Sequence, residues 1–106
     1  MGNNVRSIDD HNFETEVLAS SEPVLLDFTA TWCGPCKHFS KVVDAFADET
    51  AGSVRVAKID IDESPAISAK LGIRGAPTVV VFRDGREVAR HVGATSKQRL
   101  LALLRS

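Results

Sequence analysis

The chain has no long apolar run. Nowhere does it approach the roughly 20 apolar residues that cross a bilayer, so no membrane segment is expected. It also lacks an excess of charge: 13 Lys and Arg stand against 14 Asp and Glu, a net charge of −1. That balance supplies no basic field for nucleic acid and no lysine-rich face for a membrane surface. Met1 to Asp10 is polar and does not read as a signal peptide. Met1-Gly2 opens as an acylation site would, but Arg6 stands where that motif needs Ser or Thr. Repeats, low-complexity tracts and linkers are missing, and 106 residues fit a single domain, residues 1–106. Cysteine is scarce, with two in the chain. A domain of this size buries a core without covalent staples, so these two are not needed as scaffolding. The expected compartment is a reducing cytosol, where a cysteine pair is catalytic or metal-binding more often than structural.

What is present is an alternation of periodic segments. Val5 to Ile8 reads as a short strand. Asp9 and Asp10 can cap a helix that buries Phe13, Val17 and Leu18. Pro23 to Thr29 is nearly continuous in apolar residues, the mark of a central strand covered on both faces. The run Trp32-Cys33-Gly34-Pro35-Cys36-Lys37 follows, and a helix leaves from it with the stripe Phe39, Val42, Val43, Phe46 and Ala47, terminated by Gly52. Val54 to Ile61 is β-branched and strand-like; Ser64-Pro65 opens a short helix that Gly72 closes. Thr78 to Phe82 and Glu87 to Val92 are strands joined through Asp84-Gly85, a hairpin signal. Thr95 and Gln98 match a capping box ahead of a last helix with the stripe Leu100, Leu101, Leu103 and Leu104. The order β-α-β-α-β-α-β-β-α predicts an α/β fold with a mixed central sheet of five strands, parallel where helices intervene and antiparallel at the hairpin, and four helices on its two faces.

The cysteine pair carries the chemistry. Residues i and i+3 at a helix start share a side, with Cα atoms about 5–6 Å apart, within disulfide reach. Cys33 falls where unpaired backbone N–H groups and the positive end of the helix dipole favour thiolate over thiol. Pro35 stiffens the first turn, where its missing N–H costs nothing. Cys36, one turn further in, is expected to be less exposed and less ionised. The pattern predicts thiol–disulfide exchange in two steps: Cys33 attacks a substrate disulfide, then Cys36 attacks Cys33 and releases the reduced substrate. A zinc site competes as an explanation, but structural zinc needs four ligands, and only His11, His38 and His91 remain as further soft donors. Haem attachment needs His directly after the second cysteine, and Lys37 is there.

Asp27 sits inside the most apolar strand. A carboxylate buried there must be paired, or protonated with a raised pKa; otherwise it points to solvent from the strand end. Alternation puts it on the face of Leu25. Lys58 shares the face of Val54 and Val56 and is the partner the pattern offers. Six residues before Cys33, a buried Asp27 could lie beneath the cysteine pair and serve as the base that takes the proton of Cys36.

Taken together, Asp27-Phe28, Trp32 to Lys37, Val56-Ala57-Lys58-Ile59-Asp60, Gly72 to Thr78, Asp84-Gly85 and Val92-Gly93-Ala94 resemble the thioredoxin family over nearly the whole chain. The resemblance implies a thioredoxin-like three-layer sandwich with Cys33 as nucleophile, Cys36 as resolving thiol, and Asp27 with Lys58 as the buried proton-transfer pair. It implies a cis bond before Pro77, where sequence alone favours a trans proline opening an edge strand. It also implies a shallow substrate groove formed by Trp32, Gly75, Ala76, Pro77, Gly93 and Ala94. The implied activity is reduction of protein disulfides by a cytoplasmic monomer that thioredoxin reductase re-reduces, with no cofactor beyond the Cys33–Cys36 disulfide. The Gly34-Pro35 pair is that of reducing members. A disulfide isomerase or oxidant, and a non-catalytic module holding a partner in the same groove, are the alternatives. Two departures stand out: Thr29 where many members carry an aromatic, and Phe39-Ser40-Lys41-Val42 where many carry a helix proline, which predicts a straighter helix.

Overall fold

Apolar side chains at nearly every position of Val24–Thr29 leave that strand no face to give to water, and the chain covers both. The computed structural model describes residues 4–106; the Met1-Gly2 start lies outside them. The strands are β1 (Val5–Ile8), β2 (Val24–Thr29), β3 (Arg55–Asp60), β4 (Thr78–Arg83) and β5 (Arg86–Val92). The helices are α1 (Gly34–Glu49), α2 (Pro65–Lys70), α3 (Lys97–Leu103) and a short π-helical segment, Glu14–Leu18. Within the one five-stranded sheet the order is β1-β3-β2-β4-β5. β3 runs parallel to both β1 and β2, β2 is antiparallel to β4, and β4 is antiparallel to β5.

Strand alternation sorts the core into two layers. Leu26, Phe28, Ala57, Ile59, Val80 and Phe82 pack under the π-helical segment and α2, with Phe13, Val17 and Ile67. Leu25, Val56, Val79 and Val81 pack under α1 and α3, with Phe39, Val43, Phe46, Ala47 and Leu100. β2 therefore lies at the centre of a three-layer sandwich and ends directly below the start of α1. The hairpin between β4 and β5 turns at Asp84 (φ 53°) and Gly85 (φ 77°), the two positive angles a two-residue hairpin needs. A Cβ at Gly85 would lie 3.2 Å from the Leu18 carbonyl oxygen, so glycine also permits the close approach there.

The helix ends depart from the sequence pattern in three places. Asp9 accepts from the backbone N–H groups of His11 and Asn12, but the segment Glu14–Leu18 has no side-chain cap. Asp10 turns away from it and caps α2 instead, its carboxylate accepting from Ala66 N–H at 3.1 Å and Ile67 N–H at 2.9 Å. Ser96, rather than Thr95, caps α3 by accepting from Arg99 N–H. That moves the frame by one residue and turns Leu101 outward, while Leu100 is fully buried. Losing the Asp10 cap leaves two α2 donors unsatisfied, so Asp10→Ala should cost about 1 kcal/mol, read as a lower midpoint in urea denaturation with an unchanged slope.

Candidate active site

The site begins where β2 runs out. Cys33 is extended (φ −90°, ψ 110°) and is the N-cap of α1, its Sγ accepting from Cys36 N–H at 3.2 Å. Gly34 and Pro35 form the first helical positions, so the pyrrolidine ring occupies a place where no N–H is required. The two cysteines are joined as a disulfide with Cα atoms 5.4 Å apart. α1 continues from there without interruption to Glu49, through the stretch that carries no proline.

Distant segments close around the sulfurs. Ala30, Ile61 and Ala76 pack against the pair. The Ala76 carbonyl oxygen lies 3.4 Å from Cys33 Sγ, and the Ala76–Pro77 bond is cis. Gly93 N–H donates to the Pro77 carbonyl at 2.8 Å, and Thr78 Oγ1 donates to the Gly75 carbonyl at 2.7 Å, which ties the segments at Gly75–Pro77 and Gly93–Ala94 together. Trp32 is 65% exposed, not a core tryptophan, and its Nε1–H donates to Asp62 at 2.7 Å. Val92, also exposed, adds apolar surface next to Gly93. The expected difference in exposure between the cysteines is not found: both are 4% exposed. Ala76, from a segment 43 residues away, packs against the pair and sets its carbonyl oxygen 3.4 Å from Cys33 Sγ. The asymmetry lies in bonding: Cys33 sulfur accepts an N–H and faces the Ala76 carbonyl, while Cys36 lines a cleft of about 350 Å³ with Thr29, Thr31, Lys37, Ser40 and Asp60.

Asp27 is 1% exposed, on the α1 side of β2 with Leu25. In register it stands directly opposite Lys58, but the direct pair expected between them does not form. Lys58 Nζ donates instead to Ser40 Oγ and to Asp44 Oδ1, the latter at 2.8 Å, both on α1. Asp27 Oδ1 has no hydrogen-bond partner. Burial pushes the Asp27 carboxyl up to about 7; the Lys58 charge pulls it down by less, and Asp44 adds to the rise. Ser40, Asp44 and Asp62 are thus site residues that the sequence pattern did not single out. The signal for the first two was there: they stand four and eight residues after Cys36, on one helix face.

The Asp27 value makes stability depend on pH in a definite direction. The folded chain binds this proton more tightly than the unfolded chain does, whose carboxyl titrates near 3.8. Stability from this group is complete below that value and is lost as pH rises toward about 7. Relative to Asp27→Asn, the wild type should lose at most about 4 kcal/mol between pH 4 and pH 8. Parallel urea-stability curves for the two proteins over that range would show that Asp27 is not buried as described.

Comparison with known proteins agrees with this geometry. The Thioredoxin family profile matches residues 4–106. The chain is 47% identical to a thioredoxin of Acidithiobacillus ferridurans over 106 residues, covering 100% of this chain and 98% of that one. It is 48% identical to a thioredoxin of Allochromatium vinosum over 99 residues (93% and 92% of the two chains). A thioredoxin of Pseudomonas aeruginosa is 42% identical over 104 residues (98% and 96%). With a Cys-Gly-Pro-Cys pair at the start of α1 and matches over the described fold, the chain belongs to the thioredoxin family, oxidoreductases that reduce protein disulfides.

Proposed function

We propose that Cys33 is the attacking sulfur and Cys36 the resolving one in the reduction of protein disulfides, with Asp27 as the proton acceptor. The observation that carries this reading is the position of Cys33 as the N-cap of α1: a backbone N–H already points at its sulfur, so charge on that sulfur is stabilised before any substrate arrives. In the reduced protein, Cys33 thiolate attacks one sulfur of the substrate disulfide. A mixed disulfide forms, and the first substrate thiolate leaves and is protonated. Cys36 gives its proton to ionised Asp27 and attacks Cys33 Sγ, expelling the second substrate thiolate. Two electrons have passed to substrate, and Cys33–Cys36 is oxidised.

The substrate segment lies in extended form beside the backbone of Ala76, over Trp32, Gly93 and Ala94, and pairs as a short added strand. A reductase of the thioredoxin reductase class returns the two electrons. Electrons travel on the two sulfurs alone, without metal or cofactor. The protein works as a monomer in the cytoplasm. No helix among the described residues is long and apolar enough to cross a membrane.

Cys36→Ser should accumulate mixed disulfides with protein substrates, visible on non-reducing gels, and Cys33→Ser should accumulate none. Insulin reduction should vanish in Cys33→Ser. The reverse trapping pattern would exchange the two roles, and partner binding unaffected by loss of both cysteines would favour a holding module.

A further inference from the structure

Cys36, Ser40 and Asp44 stand at i, i+4 and i+8 on α1 and form one stripe facing β2 and β3. The last two hold the Lys58 ammonium, although Lys58 lies directly opposite Asp27 in the sheet. Ser40 also joins two clefts: it lines the one that reaches Cys36, and it lines a second of about 510 Å³ with Arg6, Lys37, Lys41, Asp44 and Lys58. The buried Asp27 oxygen without a partner is what this arrangement leaves behind. We propose that Ser40 and Asp44 are positioning residues that anchor Lys58 on α1 and so keep the Asp27 carboxylate a strong enough base to take the proton of Cys36.

The physical argument concerns competition for one cation. Were the ammonium seated on Asp27, the carboxylate would be stabilised as an ion and would be a weaker base. With Ser40 and Asp44 as alternative acceptors, Lys58 satisfies its donors outside the buried pocket, which spares it the desolvation of a fully interior ion pair. Its charge still reaches Asp27, weakened by distance and opposed by Asp44. The other charged groups around Asp27 are engaged elsewhere or open to the clefts. On β3, Asp60 accepts from the backbone N–H groups of Asp62 and Glu63. On β1, Arg6 pairs with Glu16. On α1, Lys37 and Lys41 are exposed. From β4 the residue opposite is Val79, which carries no charge. Lys58 is therefore the cation whose placement sets how far the effect of burial on Asp27 is offset.

This inference rests on Asp27 being the proton acceptor, and two readouts separate the two claims. Carbon-13 carboxyl NMR follows the Asp27 titration directly in the reduced protein, whatever its role. Single-turnover resolution of a mixed disulfide on Cys33, from pH 5 to 9, follows the chemistry. In Asp44→Asn the Asp27 midpoint should fall by about one pH unit, and the midpoint of the resolving rate should fall with it. Ser40→Ala should move both in the same direction by less, and Asp44→Glu should restore them. Ser40→Ala removes one oxygen from a helix and keeps the test open if Asp44→Asn does not fold. An Asp27 midpoint unmoved by loss of either anchor overturns the inference. A rate profile unchanged in Asp27→Asn overturns the reading of Asp27 as the base, even where the NMR midpoint does move.

Discussion

Strand β2 must be kept from water on both faces, and the site follows from that constraint. Val24, Leu25, Leu26 and Phe28 are each buried, so helices are required above and below the sheet and β2 must lie between neighbours, β3 on one side and β4 on the other. The chain leaving β2 has to turn back over the sheet at once to supply one of those covers. That turn is Trp32 to Pro35, and it places Cys33 at the point where α1 has backbone donors and no acceptors of its own. The position of Cys33 at the helix start is thus a consequence of how the central strand is covered.

The same burial gives Asp27 its unusual basicity. A carboxyl in the middle of β2 cannot reach solvent, and its register partner Lys58 is drawn off to α1. Folding therefore works against the ionised carboxyl, the form that the proposed proton transfer from Cys36 would need. Under the proposed role, stability and proton transfer pull in opposite directions at this one residue.

Much of this was legible in the sequence because the signals are local. The apolar and β-branched runs of the strands, the Asp84-Gly85 turn, the stripe on α1 and the spacing of the two cysteines concern residues a few positions apart, and they placed every strand and the redox pair. The parts that were not legible depend on residues far apart in the chain. Asp10 serves a helix that begins 55 residues later, because the loop after β1 passes the start of α2. Cys33 is as buried as Cys36 because Ala76 arrives from another loop. Lys58 had several acceptors within reach, and alternation along β3 names its face but not its partner. Thr95 and Ser96 both suit a helix start, and it is Ser96 that caps α3, with Leu100 buried.

The central claim is that the Cys33–Cys36 pair reduces disulfides rather than forming them. The reduction potential of the pair, equilibrated against glutathione at pH 7, tests it most directly. A reductase must lie below the range of the cytosolic glutathione pool measured by extraction, about −220 to −260 mV, so that electrons run from the pair to substrate. A potential above that range would make the pair an oxidant or isomerase and contradict the account.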